Sequence, residues 1–282
     1  MGEHVLVTGA SGRNGAAACA RLVALGLPVR AACRHPERVP VSEVEHTRLD
    51  WDDPETHEPA LRGVDRLYLI VHERLRNGPE IARAFVERAL RNGVRRFVVL
   101  SALGVETAVG TPLHGVEQAV RELVPDAAFL RPNWFMDNFT GGRYHRTITE
   151  EGVIRVPAGD AEVSFVAVDD IAACAAALLA ADTELPGGHL VTGPGALGFA
   201  DVAAEISAAS GRPVRYQPLD LDDPDLMAEL GVPGADPRMA RTLFSRVLSG
   251  GEAVVTDTVR ALTNRPATSF PTFARQHAAA WS

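Results

Sequence analysis

The chain contains no lysine: all 28 of its basic residues are arginine. That excludes chemistry in which an amine sits beside a phenol, above all the Tyr-x-x-x-Lys pair whose ammonium lowers the phenol's pKa until it gives up a proton. Tyrosine is scarce too, with only Tyr68, Tyr144 and Tyr216. Cysteine is equally sparse. Cys19, Cys33 and Cys174 show no metal-ligand spacing, so no metal site is expected, and they read as buried, reduced thiols of a cytoplasmic protein. No apolar stretch is long enough to span a bilayer, and the apolar run from Val5 meets Thr8 and a glycine turn too soon for a signal peptide. Positive charge is in deficit as well. Against 36 acidic residues the net charge is -8, which disfavours nucleic acid or an anionic membrane as the main partner.

What is present is ordinary for a globular chain of 282 residues, 46% hydrophobic and 23% charged. Apolar strands alternate with helices from the start. His4–Thr8 is a short buried strand ending at Gly9, followed by an Ala-rich helix over Asn14–Leu25 with Gly26 at its end. Further strands are expected at Val29–Cys33, Arg66–Val71, Arg96–Ser101 and Ala128–Arg131, with helices over about Pro79–Asn92 and Leu113–Leu123. The rhythm predicts an α/β fold, a Rossmann-type doubly wound parallel sheet. Beyond about Pro132 the pattern changes. The expected division is a dinucleotide-binding domain over 1–140, to which 165–182 returns as an Ala-rich helix entered from Phe165–Val168. A smaller, mostly helical lobe for substrate is expected over 141–164 and 183–282, closing one side of a cleft.

The most informative motif is Thr8-Gly9-Ala10-Ser11-Gly12-Arg13-Asn14-Gly15, placed between the first strand and the first helix. Gly9 permits the turn, Gly12 lets backbone approach a pyrophosphate, and Gly15 lets helix and strand pack closely. The helix N-terminus then offers N–H groups and a positive dipole end to the phosphates. The cofactor choice turns on the end of the second strand. There Cys33 is followed by Arg34, with no acid before Glu37 to bond a ribose diol. A guanidinium suits a 2′-phosphate, and Arg13 is a second candidate for it, so the reading is NADP(H). Asp50, near the end of the third strand, is expected either at the adenine amine or as a helix-cap neighbour.

At these residues a family resemblance becomes specific. The glycine loop, Arg34 and the run Leu130-Arg131-Pro132-Asn133-Trp134-Phe135-Met136-Asp137-Asn138-Phe139 resemble the NmrA-like group of atypical short-chain dehydrogenases/reductases. Val166–Ala172 matches a second signature, and Thr263–Pro266 with Ser269 and Phe270 resembles the group's C-terminal end. Within the group the chain looks most like members related to quinone reductases and ergot-alkaloid iminium reductases. The resemblance implies an NADP-binding Rossmann domain with a small C-terminal substrate lobe. It does not by itself imply turnover, since the group includes redox sensors.

Where ordinary short-chain dehydrogenases carry Tyr and Lys, this chain reads Thr111 to Arg121 with neither. The groups left to shape a reaction are His114, His72 directly after the fourth strand, and Ser101 at the end of the fifth. Trp134, Phe135 and Asn138 offer an aromatic wall and an amide to a flat substrate, or plain core packing. Asp169 and Asp170 read as helix caps. The expected function is an NADPH-dependent reductase of an acceptor already electrophilic: an imine or iminium, a quinone or an activated enone, in secondary metabolism. The alternatives are an NADP(H)-sensing regulator without catalysis and a non-redox cyclase or isomerase. The expected partner is a small molecule, with the chain a monomer or homodimer.

Overall fold

The computed structural model describes residues 4–71, 77–223, 226–230 and 237–282. In chain order it opens with β1 (His4–Thr8), α1 (Arg13–Ala24), β2 (Val29–Cys33), β3 (Glu45–Arg48), α2 (His57–Leu61) and β4 (Val64–Leu69). Next come α3 (Gly78–Arg91), β5 (Arg96–Leu100), α4 (Pro112–Leu123), β6 (Ala128–Pro132), α5 (Gly142–Glu151), β7 (Val153–Val156) and β8 (Glu162–Val163). The chain continues with α6 (Val168–Ala180), β9 (Gly187–Val191), β10 (Leu197–Gly198), α7 (Phe199–Ser210) and β11 (Arg215–Pro218). Four helices finish it: α8 (Leu226–Glu229), α9 (Pro237–Leu248), α10 (Thr258–Thr263) and α11 (Phe270–Gln276). Among the described residues no helix is long and apolar enough to cross a membrane.

Two compact units result. The first comprises Met1–Pro132, Val168–Val191 and Thr258–Arg265. Its seven strands pair in the order β3-β2-β1-β4-β5-β6-β9, all parallel. This is the doubly wound arrangement that the alternating pattern predicts, with the order reversing between β1 and β4. Strands buried on both faces need continuous apolar runs, and Val5, Leu6 and Val7 are wholly buried for that reason. One core joins Leu6, Leu67, Phe85, Phe97, Val99 and Phe129.

The Ala-rich segment forms α6, which packs on α1 and α10. Residues 165–167, however, do not join the main sheet, and Val166 makes only an isolated bridge to Phe135. The strand that extends the sheet is β9, which follows the helix. Helix α6 is buried nearly all round, consistent with a sequence almost free of polar residues after Asp170. At its start Arg21 of α1 pairs with Asp169, with Nε to Oδ1 at 2.8 Å. At its end Arg66 donates to Leu179 O at 2.8 Å, while Arg96 donates to Leu178 O at 3.2 Å and to Ala181 O. The last carbonyls of the helix are thus met by two strand arginines.

The second unit comprises Asn133–Ala167, Thr192–Asp257 and Pro266–Ser282. Among the described residues it holds two small sheets, β10 with β8 antiparallel and β11 with β7 parallel, together with five helices. Its core is aromatic: Phe139, Phe165, Phe199, Phe244, Phe270 and Trp281 are buried together. Trp281 donates its indole N–H to Phe139 O at 2.7 Å, which ties the chain's last turn to this core.

Candidate active site

The carboxyl ends of β1, β2, β3, β5 and β6 lie along one edge of the first unit's sheet, flanking the point where strand order reverses. Ligands of open parallel sheets bind at such an edge. The glycine loop leaves β1 here. Gly9 has φ +63°, and a Cβ on it would come 3.3 Å from Ile70 Cγ2. Gly15 is more constrained, because a Cβ there would sit 2.4 Å from Gly9 O and 2.8 Å from Ala10 Cα. Between them the Gly12 amide donates to Gly9 O at 2.9 Å, and Gly12 stands at the N-cap of α1. No side chain caps this helix and no acid lies in its first turn. Its N-terminal N–H groups and dipole therefore face an uncompensated site suited to a pyrophosphate. Ser11 and Arg13 are exposed at the loop and Asn14 is half-buried. Thr8 is different: its hydroxyl is fully buried, donates to Ile70 O at 3.1 Å and accepts from Ile70 N at 2.7 Å. It ties β1 to the end of β4 and presents no side chain to the edge.

At the end of β2, Arg34 is exposed and makes no hydrogen bond or ion pair with another described residue. The acid nearest in sequence, Glu37, faces His35 at 3.5 Å. An unpaired guanidinium with no carboxylate at the strand end fits a 2′-phosphate. Asp50 lies two residues past β3, not within it. Its carboxylate accepts from Asp52 N at 3.3 Å and from Arg48 at 3.4 Å, so it closes its own loop. That loop is held from beneath by His57, which sequence reasoning missed. The buried ring donates from Nε2 to Asp50 O at 2.9 Å and accepts at Nδ1 from Arg88 at 3.0 Å. Trp51 and Phe85 stand edge-on to it at 5.8 and 5.2 Å. Burial and the Arg88 charge hold its pKa below the ordinary value, despite the opposing pull of the Asp50 carbonyl.

His72 lies outside the described residues. Ser101 directly follows β5 and its hydroxyl donates to Glu117 of α4. Glu117 is almost completely buried and takes Arg131 in a two-pronged bond, Nε to Oε1 at 2.9 Å and Nη2 to Oε2 at 2.6 Å. Arg121 reaches the same Oε2 at 3.1 Å. Burial alone would raise this carboxyl's pKa, but Arg131, Ser101 and Arg121 together carry it below the usual value. His114 lies one turn earlier on α4, half-buried. Its backbone N–H is capped by Thr111 Oγ1 at 3.3 Å, and its Nε2 stands 3.5 Å from Gln118 Nε2.

Trp134, Phe135 and Asn138 belong to the second unit. The half-buried Trp134 ring stands edge-on to Phe199 and Phe244 at 5.8 and 5.7 Å, so it shares the aromatic core. Asn133, beside it, is buried and donates to Glu252 O and Ser164 Oγ, each at 2.7 Å. The three cysteines are buried and unpaired, and burial pushes the Cys19 and Cys174 thiols up to about 12. Among the described residues no cluster of His, Cys, Asp or Glu could hold a metal ion.

Comparison with known proteins finds relatives that span nearly the whole chain. A reductase of Streptomyces griseus named for (4-alkanoyl-5-oxo-2,5-dihydrofuran-3-yl)methyl phosphate is 34% identical over 287 residues, covering 99% of each chain. An NAD(P)H azoreductase of Xenophilus azovorans is 32% identical, covering 98% of this chain and 99% of its own. The NADPH-dependent quinone oxidoreductase of Escherichia coli, solved with NADPH, superposes with a TM-score of 0.81. It is 23% identical and covers 96% of this chain and 99% of its own. The fold is therefore a Rossmann fold of the kind that binds NADPH in such oxidoreductases. The NmrA-like family pattern matches residues 1–225, and the chain belongs to that family.

Proposed function

We propose that this protein is an NADPH-dependent reductase that delivers hydride to a small acceptor already electrophilic: an imine or iminium, a quinone or an activated enone. The observation that carries the reading is the fate of the Ser101 proton. The segment Thr111 to Arg121, where a carbonyl reductase carries a phenol and an ammonium, has neither, and the nearby Ser101 hydroxyl is committed to the buried Glu117 carboxylate of that segment. No strong acid is built there, so the acceptor must not depend on one.

NADPH, when bound, supplies the hydride. The chain's own residues bind and orient it. Gly9, Gly12, Gly15 and the α1 N-terminus cradle the pyrophosphate, and Ser11, Arg13 and Asn14 line the same turn. Arg34 meets the 2′-phosphate and favours NADPH over NADH. Reduction of an iminium carbon needs no proton, since hydride addition leaves a neutral amine. For a neutral imine, a quinone or an enone, a proton must accompany the hydride, and His114 at the start of α4 is the group assigned to it. The two curated relatives bear the names of reductases acting on unlike acceptors, which supports a reductase whose acceptor varies within the family.

The test is NADPH oxidation followed at 340 nm with a panel of quinones, cyclic imines and activated enones. Turnover with one class identifies it. Product formed without cofactor loss, or tight cofactor binding with no oxidation by any acceptor, overturns the reading.

A further inference from the structure

The end of β5 carries a buried ionic array whose purpose exceeds that of a rivet. To pin α4 to the sheet, the two-pronged Arg131–Glu117 bond is sufficient. The bond from Ser101 adds a second effect. A serine rotor left alone donates or accepts as its neighbour requires. One whose only proton is spent on an ionised carboxylate offers lone pairs alone to any other partner. The serine's backbone N–H is also spent, on Leu130 O at 2.7 Å.

The carboxylate cannot easily release that proton or turn away. Glu117 is 1% exposed, Arg131 and Arg121 fill its remaining lone pairs, and Arg131 is itself steadied by Glu106 at 3.4 Å. On a sheet of this order, the adenosine half of a dinucleotide lies over β1 to β3 and the nicotinamide half over β4 to β6. Ser101, the first residue after β5, stands on the nicotinamide side. The nicotinamide carboxamide bears an NH₂ group that needs an acceptor.

We propose that Glu117, clamped by Arg131, is a positioning residue that fixes Ser101 as a hydrogen-bond acceptor for the carboxamide N–H of NADPH. It rests on the cofactor reading above. The array thus selects one of the two flipped orientations of the carboxamide, and Ser101 is the group that touches the cofactor.

Two ligands separate this role from a structural one: NADPH, and 2′-phospho-ADP-ribose, which lacks the nicotinamide. Ser101→Ala and Glu117→Gln are each expected to weaken NADPH by about three- to tenfold while leaving 2′-phospho-ADP-ribose within about twofold. Because both act through one bond, the double variant loses no more than the larger single loss. Equal weakening of both ligands, or an unchanged NADPH affinity in either variant, overturns the proposal. Ser101→Ala deletes one oxygen and leaves Glu117 its arginines, so it decides the matter if Glu117→Gln does not fold. A wild-type protein that binds neither ligand would instead overturn the cofactor reading itself.

Discussion

Gly188 makes room for Arg131: a Cβ at Gly188 would come 2.6 Å from Arg131 Nη1 and 2.9 Å from its Cζ. The guanidinium is the far end of a flexible side chain, but its bond to buried Glu117 denies it that flexibility. Gly188→Ala is therefore expected to displace the guanidinium and lower stability by about 2 kcal/mol. Denaturant unfolding would measure it, and a change below about 0.5 kcal/mol would show that Arg131 can move without cost.

The glycine loop gives a sharper case, because the obstacle at Gly15 is backbone. Gly15→Ala places a methyl 2.4 Å from Gly9 O, so the turn and the helix must part. We expect NADPH affinity to fall by at least about tenfold, with a stability loss of about 1–3 kcal/mol. Isothermal titration beside a thermal melt would separate the two effects. Retained affinity would show that the turn is not the phosphate cradle.

Arg34 tests cofactor choice. Removing one charge-assisted bond to a 2′-phosphate costs about 1.5–3 kcal/mol, so Arg34→Ala is expected to weaken NADPH by about ten- to a hundredfold. NADH affinity should hardly change. If both cofactors weaken alike, Arg34 does not read the 2′-phosphate.

Acid should loosen the loop at Asp50. The folded-state pKa of His57 lies below its ordinary value of 6.5, so the native protein favours the neutral ring. A group depressed in this way contributes stability that is full above the unfolded pKa and is lost as pH falls through the folded one. Protonation would also set a second N–H against Arg88. Glu117, likewise depressed, acts in a separate and more acid window, below its ordinary value of 4.5. Urea unfolding from pH 7.5 to 5 should therefore show a decline in the wild type that is flatter in His57→Gln. Parallel curves would remove His57 from the account.

In the second unit, Asn133 fastens the segment at Glu252 and Ser164 through its amide N–H groups, and its Oδ1 accepts from Trp134 N at 2.8 Å. Asn133→Ala is expected to cost about 2–3 kcal/mol by leaving those partners unmet. Asn133→Asp keeps the shape but turns an acceptor toward a carbonyl, so it should cost more. A thermal melt in which Asp is the milder of the two would contradict this.

Local signals made the first unit legible. Apolar strand runs, the Gly9–Gly15 spacing and the missing acid at Arg34 are each contained within a few residues. Strand β9 was not legible, because Gly187–Leu190 carries no apolar run, and Gly188 is small for the sake of Arg131 on a neighbouring strand. Glu117 escaped notice for a related reason: its partners Ser101 and Arg131 lie 16 and 14 residues away along the chain. On a helix it reads as one more surface acid until the fold brings β5 and β6 beneath it. His57 gains its meaning only from Asp50 and Arg88. Thr8, at the head of the glycine motif, belongs by sequence to the phosphate turn, yet its hydroxyl serves the seam between two strands.

Helix α6 is buried nearly all round, met by Arg21 at its start and by Arg66 and Arg96 at its end. Each clamp uses a guanidinium, which keeps its charge across any pH at which the protein folds. The helix therefore has no frayed terminus from which to open, and its amides can meet solvent only when the sheet comes apart. In hydrogen–deuterium exchange they should set the ceiling for the first unit, reporting its global unfolding free energy rather than any local breathing.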